Sequence, residues 1–196
     1  MFRRAADGSS AEEAVFADSG DVFPDNFTAD GKVLLFTQVI DGKDSIWALP
    51  LAEPQKPRKV VERGGASRLS PDGRYVAYES TESGQYQLYV VPFDGRQGKW
   101  QVSPNEGGLP MWSRDGKELY YIDSTYSVIS VPVREQGDAL QFGAPQTLIA
   151  RTNLATVPSF AVSPDGKKIL VERLSQRVNQ SVTVVTNFAE GLNKAK

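Results

Sequence analysis

Ser70-Pro71-Asp72-Gly73-Arg74-Tyr75-Val76-Ala77-Tyr78-Glu79-Ser80 spells a tight turn followed by a strand. Proline presets φ at the second turn position, aspartate tolerates the third and bonds nearby amides, and glycine takes a positive φ. Working outward, Ala66 to Ser70 is short enough for an inner strand, and Tyr75 to Ser80 is a second. Gln87 to Phe93 makes a third and Lys99 to Ser103 a fourth, joined by a polar loop at 81–85 and a turn at 94–98. Each has the length of an ordinary strand. Successive side chains of a strand point to opposite faces. Val76 and Tyr78 therefore oppose Tyr75 and Ala77, and the neighbours Val90 and Val91 face opposite sides. A sheet with one solvated face has no need of that; a sheet packed between two others does.

The turn recurs as Thr28-Ala29-Asp30-Gly31-Lys32, Ser113-Arg114-Asp115-Gly116-Lys117 and Ser163-Pro164-Asp165-Gly166-Lys167. The aspartates are 42 (72 − 30), 43 (115 − 72) and 50 (165 − 115) positions apart. A period in the forties with strand-like flanks marks a propeller blade. The expected fold is all-β: a β-propeller segment of four four-stranded antiparallel blades, at about 20–62, 66–103, 109–150 and 158–188. The last copy lacks an outer strand before the sequence stops, and Glu13-Ala14-Val15-Phe16 is an orphan outer strand. Residues 1–16 therefore either end a preceding blade of a larger propeller or supply the strand that closes the last blade. Pro50, Pro92 and Pro132 recur near the ends of third strands and are expected to mark where pairing stops.

The 196 residues suit one domain or a piece of a larger one. Twenty-two basic and 24 acidic residues leave a net charge of −2 without a basic stripe, so no nucleic-acid partner is expected. No apolar run approaches ~18 residues, so no membrane insertion by this segment is expected, and Met1 to Gly8 has charge but no apolar run behind it. The chain has no cysteine and no histidine. That removes disulfides, thiolate chemistry, imidazole ligands and a serine–histidine pair. No enzyme activity, metal site or cofactor is expected.

The turn with its aromatic strand resembles the WD40-like (PD40) repeat of TolB propellers. A more specific resemblance is carried by Glu82-Ser83-Gly84, Leu88-Tyr89-Val90, Pro92-Phe93, Lys99-Trp100-Gln101-Val102-Ser103, Gly107-Gly108, Pro110-Met111-Trp112-Ser113, Asp115 to Tyr121 and Val182 to Phe188. Together these are similar to the C-terminal propeller of bacterial transmembrane serine/threonine kinase-like proteins, over about residues 20–192. The resemblance implies a periplasmic or otherwise extracytoplasmic position. It supplies no catalytic residues, because the repeated positions are structural. The first and third turns depart from the pattern in lacking the proline (Ala29, Arg114).

Other chemistries fare poorly. A calcium loop needs several oxygens converging on one ion, and each turn offers one aspartate; the richer set Asp18, Asp21, Asp25 and Asp30 lacks calcium-loop spacing. Ser70, Ser83 and Ser113 are assigned to turn capping. Trp47, Trp100 and Trp112 are assigned to packing between blades rather than to a ligand platform. Gly64-Gly65 and Gly107-Gly108 are expected to relieve crowding where an outer strand crosses to the next inner strand.

Recognition in a propeller is expected on the loops that join second to third strands and one blade to the next. Those loops carry Glu82, Tyr86, Asn105, Glu106, Tyr126, Arg151 and Arg177, a mix that suits a protein or peptide contact. The expected function is a non-catalytic binding scaffold, the sensor or interaction region of a larger bacterial protein. The alternatives are the propeller of a prolyl-oligopeptidase-like serine hydrolase without its catalytic domain, and a TolB-like cell-envelope protein. If the outer blades present open edges, other chains can pair with them. Light scattering over a concentration series is then expected to show self-association; a strict monomer with one cooperative melt favours closure through residues 13–16.

Overall fold

The computed structural model describes residues 1–52, 56–137, 139–150, 160–173 and 181–186. Two short strands, β1 (Phe2–Arg3) and β2 (Glu13–Ala14), pair with each other. The first blade follows: β3 (Asp21–Phe27), β4 (Val33–Ile40), β5 (Lys43–Pro50) and β6 (Arg58–Val61), paired in that order. The second blade is β7 (Gly65–Leu69), β8 (Tyr75–Ser80), β9 (Gln87–Pro92) and β10 (Trp100–Gln101). The third is β11 (Gly107–Trp112), β12 (Glu118–Asp123), β13 (Val128–Gln136), β14 (Ala139–Phe142) and β15 (Gln146–Ile149). The fourth contributes β16 (Phe160–Val162), β17 (Lys168–Arg173) and β18 (Ser181–Thr186). All pairings are antiparallel. Among the described residues no helix is long and apolar enough to cross a membrane.

The second blade is buried on both sides. Tyr75, Ala77, Leu88 and Val90 pack with Leu119, Tyr121, Ile129 and Val131 of the third blade. Their neighbours Val76, Tyr78, Tyr89 and Val91 pack with Leu35, Ile46 and Val61 of the first. The third blade repeats this, sending Ile122 and Val128 against Ile169 and Val171 of the fourth. Burying one such side chain is worth about 1.5–3 kcal/mol, so the stacked faces dominate the core. The first blade's outer face is met by Met1 and Phe16, whose ring lies 4.8 Å from that of Phe36. Strand β2 pairs with β1 and stands beside the first blade.

The four turns share one bonding scheme. In the second, Ser70 Oγ donates to Asp72 Oδ1 (2.5 Å) and accepts from the Tyr75 amide (2.9 Å), while Asp72 Oδ1 accepts from the Arg74 amide (3.0 Å). Thr28–Asp30, Ser113–Asp115 and Ser163–Asp165 reproduce it. The turn glycines sit at φ of 68–73° (Gly31, Gly73, Gly116, Gly166), a left-handed conformation that only glycine adopts freely.

Gly107 closes the crossing from the second blade to the third. A Cβ there would lie 2.8 Å from the Tyr121 ring and 2.9 Å from Ser103 Cβ. The equivalent Gly64 lies as tightly on the Tyr78 ring. Pro50 and Pro92 occupy the last register pairs of their strands. Pro132 corrects the expectation that proline marks the end of pairing: β13 continues past it and exchanges partners, from β12 to β14. Gly143 accommodates the switch, its amide donating to Pro132 O (2.8 Å).

Two substitutions test this scheme by urea unfolding. Ser70→Ala leaves the buried Tyr75 amide without its hydroxyl and is expected to cost about 1–3 kcal/mol. Gly107→Ala is expected to cost about 1–3 kcal/mol by overpacking. A neutral result at both positions would contradict the roles given to them.

Candidate functional site

Strand alternation gives the stacked sheets two ends. One carries the Asp-Gly turns and the links between third and fourth strands. The other carries the loops between second and third strands and the crossings between blades.

At the loop end, Tyr86 is exposed and borders a cleft of about 270 Å³ together with Lys43, Asp44, Arg63 and Glu79. The Gly107 amide donates to Tyr86 O (2.9 Å), stitching the 81–86 loop to the next crossing. Asn105 and Glu106 stand exposed in that crossing, so the structure brings them to the Tyr86 loop. Glu82 is ion-paired with Lys99, whose ammonium lies 4.4 Å from the centre of the Tyr89 ring. Tyr126 belongs to the corresponding turn of the third blade, at φ 61°, with its amide donating to Asp123 O (2.8 Å). Arg151 and Arg177 lie outside the described residues.

Two half-buried carboxylates stand behind this end. Asp25 Oδ2 accepts from Ser67 Oγ (2.6 Å) and Thr37 Oγ1 (2.8 Å), bridging the inner strands of the first two blades. Burial pushes its carboxyl above the usual range despite those bonds. Burial also raises Glu79, with the Leu109 amide opposing and the charges of Asp44 and Asp25 adding. The inner strands bulge beside these groups, placing Ala66 and Leu109 at φ of 49° and 55°. Of the other aspartates considered for calcium, Asp18 accepts from Ser19 and Asp30 from its own turn. Among the described residues, no three carboxylates form a group that can hold a metal ion.

The turn end holds a larger cleft, about 820 Å³, between the second and third blades. One wall is the turn at Ser70-Pro71-Asp72, the other the turn from Arg114 to Lys117, and the outer side is the β13–β14 hairpin. Sequence reasoning missed this cleft. Its one signal was the longer step from Asp115 to Asp165. The step from Pro132 to Gln146 is 14 positions (146 − 132), against 8 from Pro92 to Trp100 (100 − 92), and the difference forms the hairpin. Trp112 packs on the core between the blades and also borders this cleft, its Nε1 donating to Arg68 O (3.1 Å). Trp100 meets the Tyr75 ring edge-on at 6.1 Å.

The serines assigned to turns are hydrogen-bonded there. Ser70 and Ser113 are committed to their turns, and Ser83 Oγ donates to Gln85 O (3.1 Å).

No family model matches the chain, and no curated protein matches it. Solved structures do. TolB from Acinetobacter baumannii matches over 94% of this chain and 45% of its own, with a TM-score of 0.68 at 20% identity. A TolB-designated protein of Agrobacterium tumefaciens matches over 83% and 60%, with a TM-score of 0.60 at 18% identity. An acylaminoacyl peptidase of Pyrococcus horikoshii matches over 85% and 31%, with a TM-score of 0.52 at 12% identity. The chain thus spans about half the length of the TolB structures it matches. The fold is that of a TolB-like β-propeller, present here in part.

The carboxylates predict an opposed pH response. Hydroxyl bonds from Thr28, Ser113 and Ser163 hold Asp30, Asp115 and Asp165 below the usual range. Their stabilisation is present above the unfolded value of about 3.9 and is lost as pH falls through the folded value. Asp25 and Glu79 are raised, so their cost is absent in acid. It grows as pH climbs through the unfolded values of about 4 and is complete above the folded ones. Urea unfolding between about pH 4 and 7 is expected to show Asp25→Asn gaining stability relative to the parent as pH rises. An unchanged difference across that window would contradict it.

Proposed function

We propose that the chain is a non-catalytic binding scaffold, a run of propeller blades that presents a protein or peptide contact on its ends. We place it in the extracytoplasmic sensor or interaction region of a larger bacterial protein. One observation carries the reading. The hydroxyls and carboxylates that recur in every blade are spent inside their own turns. The groups that differ between blades stand on the surface: Tyr86, Asn105, Glu106 and Tyr126 at the loop end and the hairpin-walled cleft at the turn end. Recognition by loops held on a rigid ring is a common use of such a frame. Tyrosine at a surface offers large contact area at small entropic cost.

The likeness to TolB and the resemblance to kinase-linked propellers support the extracytoplasmic placement. A net charge of −2 gives no attraction for a nucleic acid.

Two measurements on the purified protein test the reading. A phage-displayed random peptide library is expected to yield peptides that bind saturably and are lost when the protein is unfolded in urea. Nitrophenyl esters and aminoacyl anilides are expected to hydrolyse no faster than in buffer. Turnover that copurifies with the protein, or a library that yields no saturable binder, would overturn the proposal.

A further inference from the structure

We propose that Asp41 is a modification site: it converts spontaneously to isoaspartate, through an imide formed with the Gly42 amide, ahead of the chain's other aspartate–glycine pairs. Seven aspartates are followed directly by glycine. Glycine has no Cβ to shield its amide from the side chain before it, so by local sequence the seven are equivalent candidates. The fold separates them.

Six of the seven carboxylates are already held. Asp7, Asp30, Asp72, Asp94, Asp115 and Asp165 each accept from the amide two residues on, at 2.9–3.1 Å. That bond commits the carboxylate to a local turn of its own and away from the glycine amide next to it. Gly8, Gly31, Gly73, Gly116 and Gly166 spend their amides as well, each donating to the carbonyl three residues back at 2.8–3.0 Å. Asp41 and Gly42 do neither. Both are exposed, and neither the Asp41 side chain nor the Gly42 amide makes a hydrogen bond among the described residues. A Cβ built on Gly42 would meet nothing within 4 Å, so the approach to its amide is open.

The turn also lies one local motion away from the reacting geometry. Asp41 and Gly42 are the whole loop between β4 and β5, with Ile40 and Lys43 in register across it. Their φ values are 51° and 70°, and two positive values make a type I′ turn. Rotating the single peptide unit between them gives type II′, which closes the same hairpin. Type II′ puts ψ of its first central residue at about −120°. There Cβ and the following nitrogen eclipse about the Cα–C bond, as a five-membered ring requires. The Gly42 nitrogen then bonds to Asp41 Cγ. The Cγ–O bond breaks, and the hydroxyl leaves as water with the amide proton. A second water opens the imide. Attack at the main-chain carbonyl breaks its bond to the Gly42 nitrogen and leaves the chain running through Cγ. The product has the parent's mass and one more methylene in its main chain. It lengthens a turn that borders the loop-end cleft beside Asp44 and Tyr86.

The test is peptide mapping of the whole chain after weeks in mildly acidic buffer, with electron-transfer fragmentation to tell the two isomers apart. A parallel sample is aged in urea. In the folded protein, Asp41 is expected to accumulate isoaspartate at least threefold faster than any other aspartate that precedes glycine, through an intermediate lighter by one water. In urea that lead is expected to vanish, because the bonds that hold the other six are gone. Even conversion across the seven in the folded protein, a lead by any other aspartate, or an unreacted Asp41 would overturn the proposal. So would a lead at Asp41 that survives unfolding, since it would then belong to the neighbouring residues in sequence and not to the turn.

Discussion

Every blade between two others has to hide both of its faces, and the rest of the molecule follows from that constraint. Val90 and Val91 are adjacent in the chain, yet Val90 belongs to the core shared with the third blade and Val91 to the core shared with the first. A strand can do this only if apolar residues occupy consecutive positions, which is why β8 and β9 lack the alternation of a half-solvated sheet. Stacking also restricts what can stand at the crossings. Where a chain leaves one blade for the next, the next sheet's second strand presses against it. Glycine at 64 and 107 is the consequence, since a Cβ would enter the rings of Tyr78 and Tyr121.

With the faces occupied, polar chemistry is pushed to the ends of the strands. There the repeat spends most of it on itself. A serine or threonine hydroxyl, an aspartate and two amides close each turn, so residues that look reactive are structural. What remains available is whatever breaks the repeat. The tyrosines, amide and acid of the loop end differ from blade to blade. At the turn end the third blade, alone among the described residues, carries the hairpin that turns a shallow junction into a cleft. Departure from the pattern is thus a better guide to function in this chain than the pattern itself.

Much of the fold was legible because it rests on local chemistry. The turn motif gave the period, and the strands of the second blade lie where the apolar runs placed them. The hairpin was not legible. Arg134 to Phe142 is polar and irregular, and nothing local distinguishes it from a loop; only the extra length between Asp115 and Asp165 hinted at it. The positive φ at Ala66 and Leu109 was equally hidden, because neither is a residue that advertises it. The candidate loop residues could be listed from spacing alone. The larger cleft could not, since its two walls are some 40 residues apart in sequence and meet only through stacking.

The two-sided packing of the second blade is the claim most worth measuring. Nuclear Overhauser contacts on isotope-labelled protein address it at the adjacent valines. The account predicts that Val90 methyls see Leu119, Ile129 and Val131, while Val91 methyls see Leu35, Ile46 and Val61, with no partner in common. Both valines reporting the same set of neighbours, or one of them reporting only solvent, would contradict it.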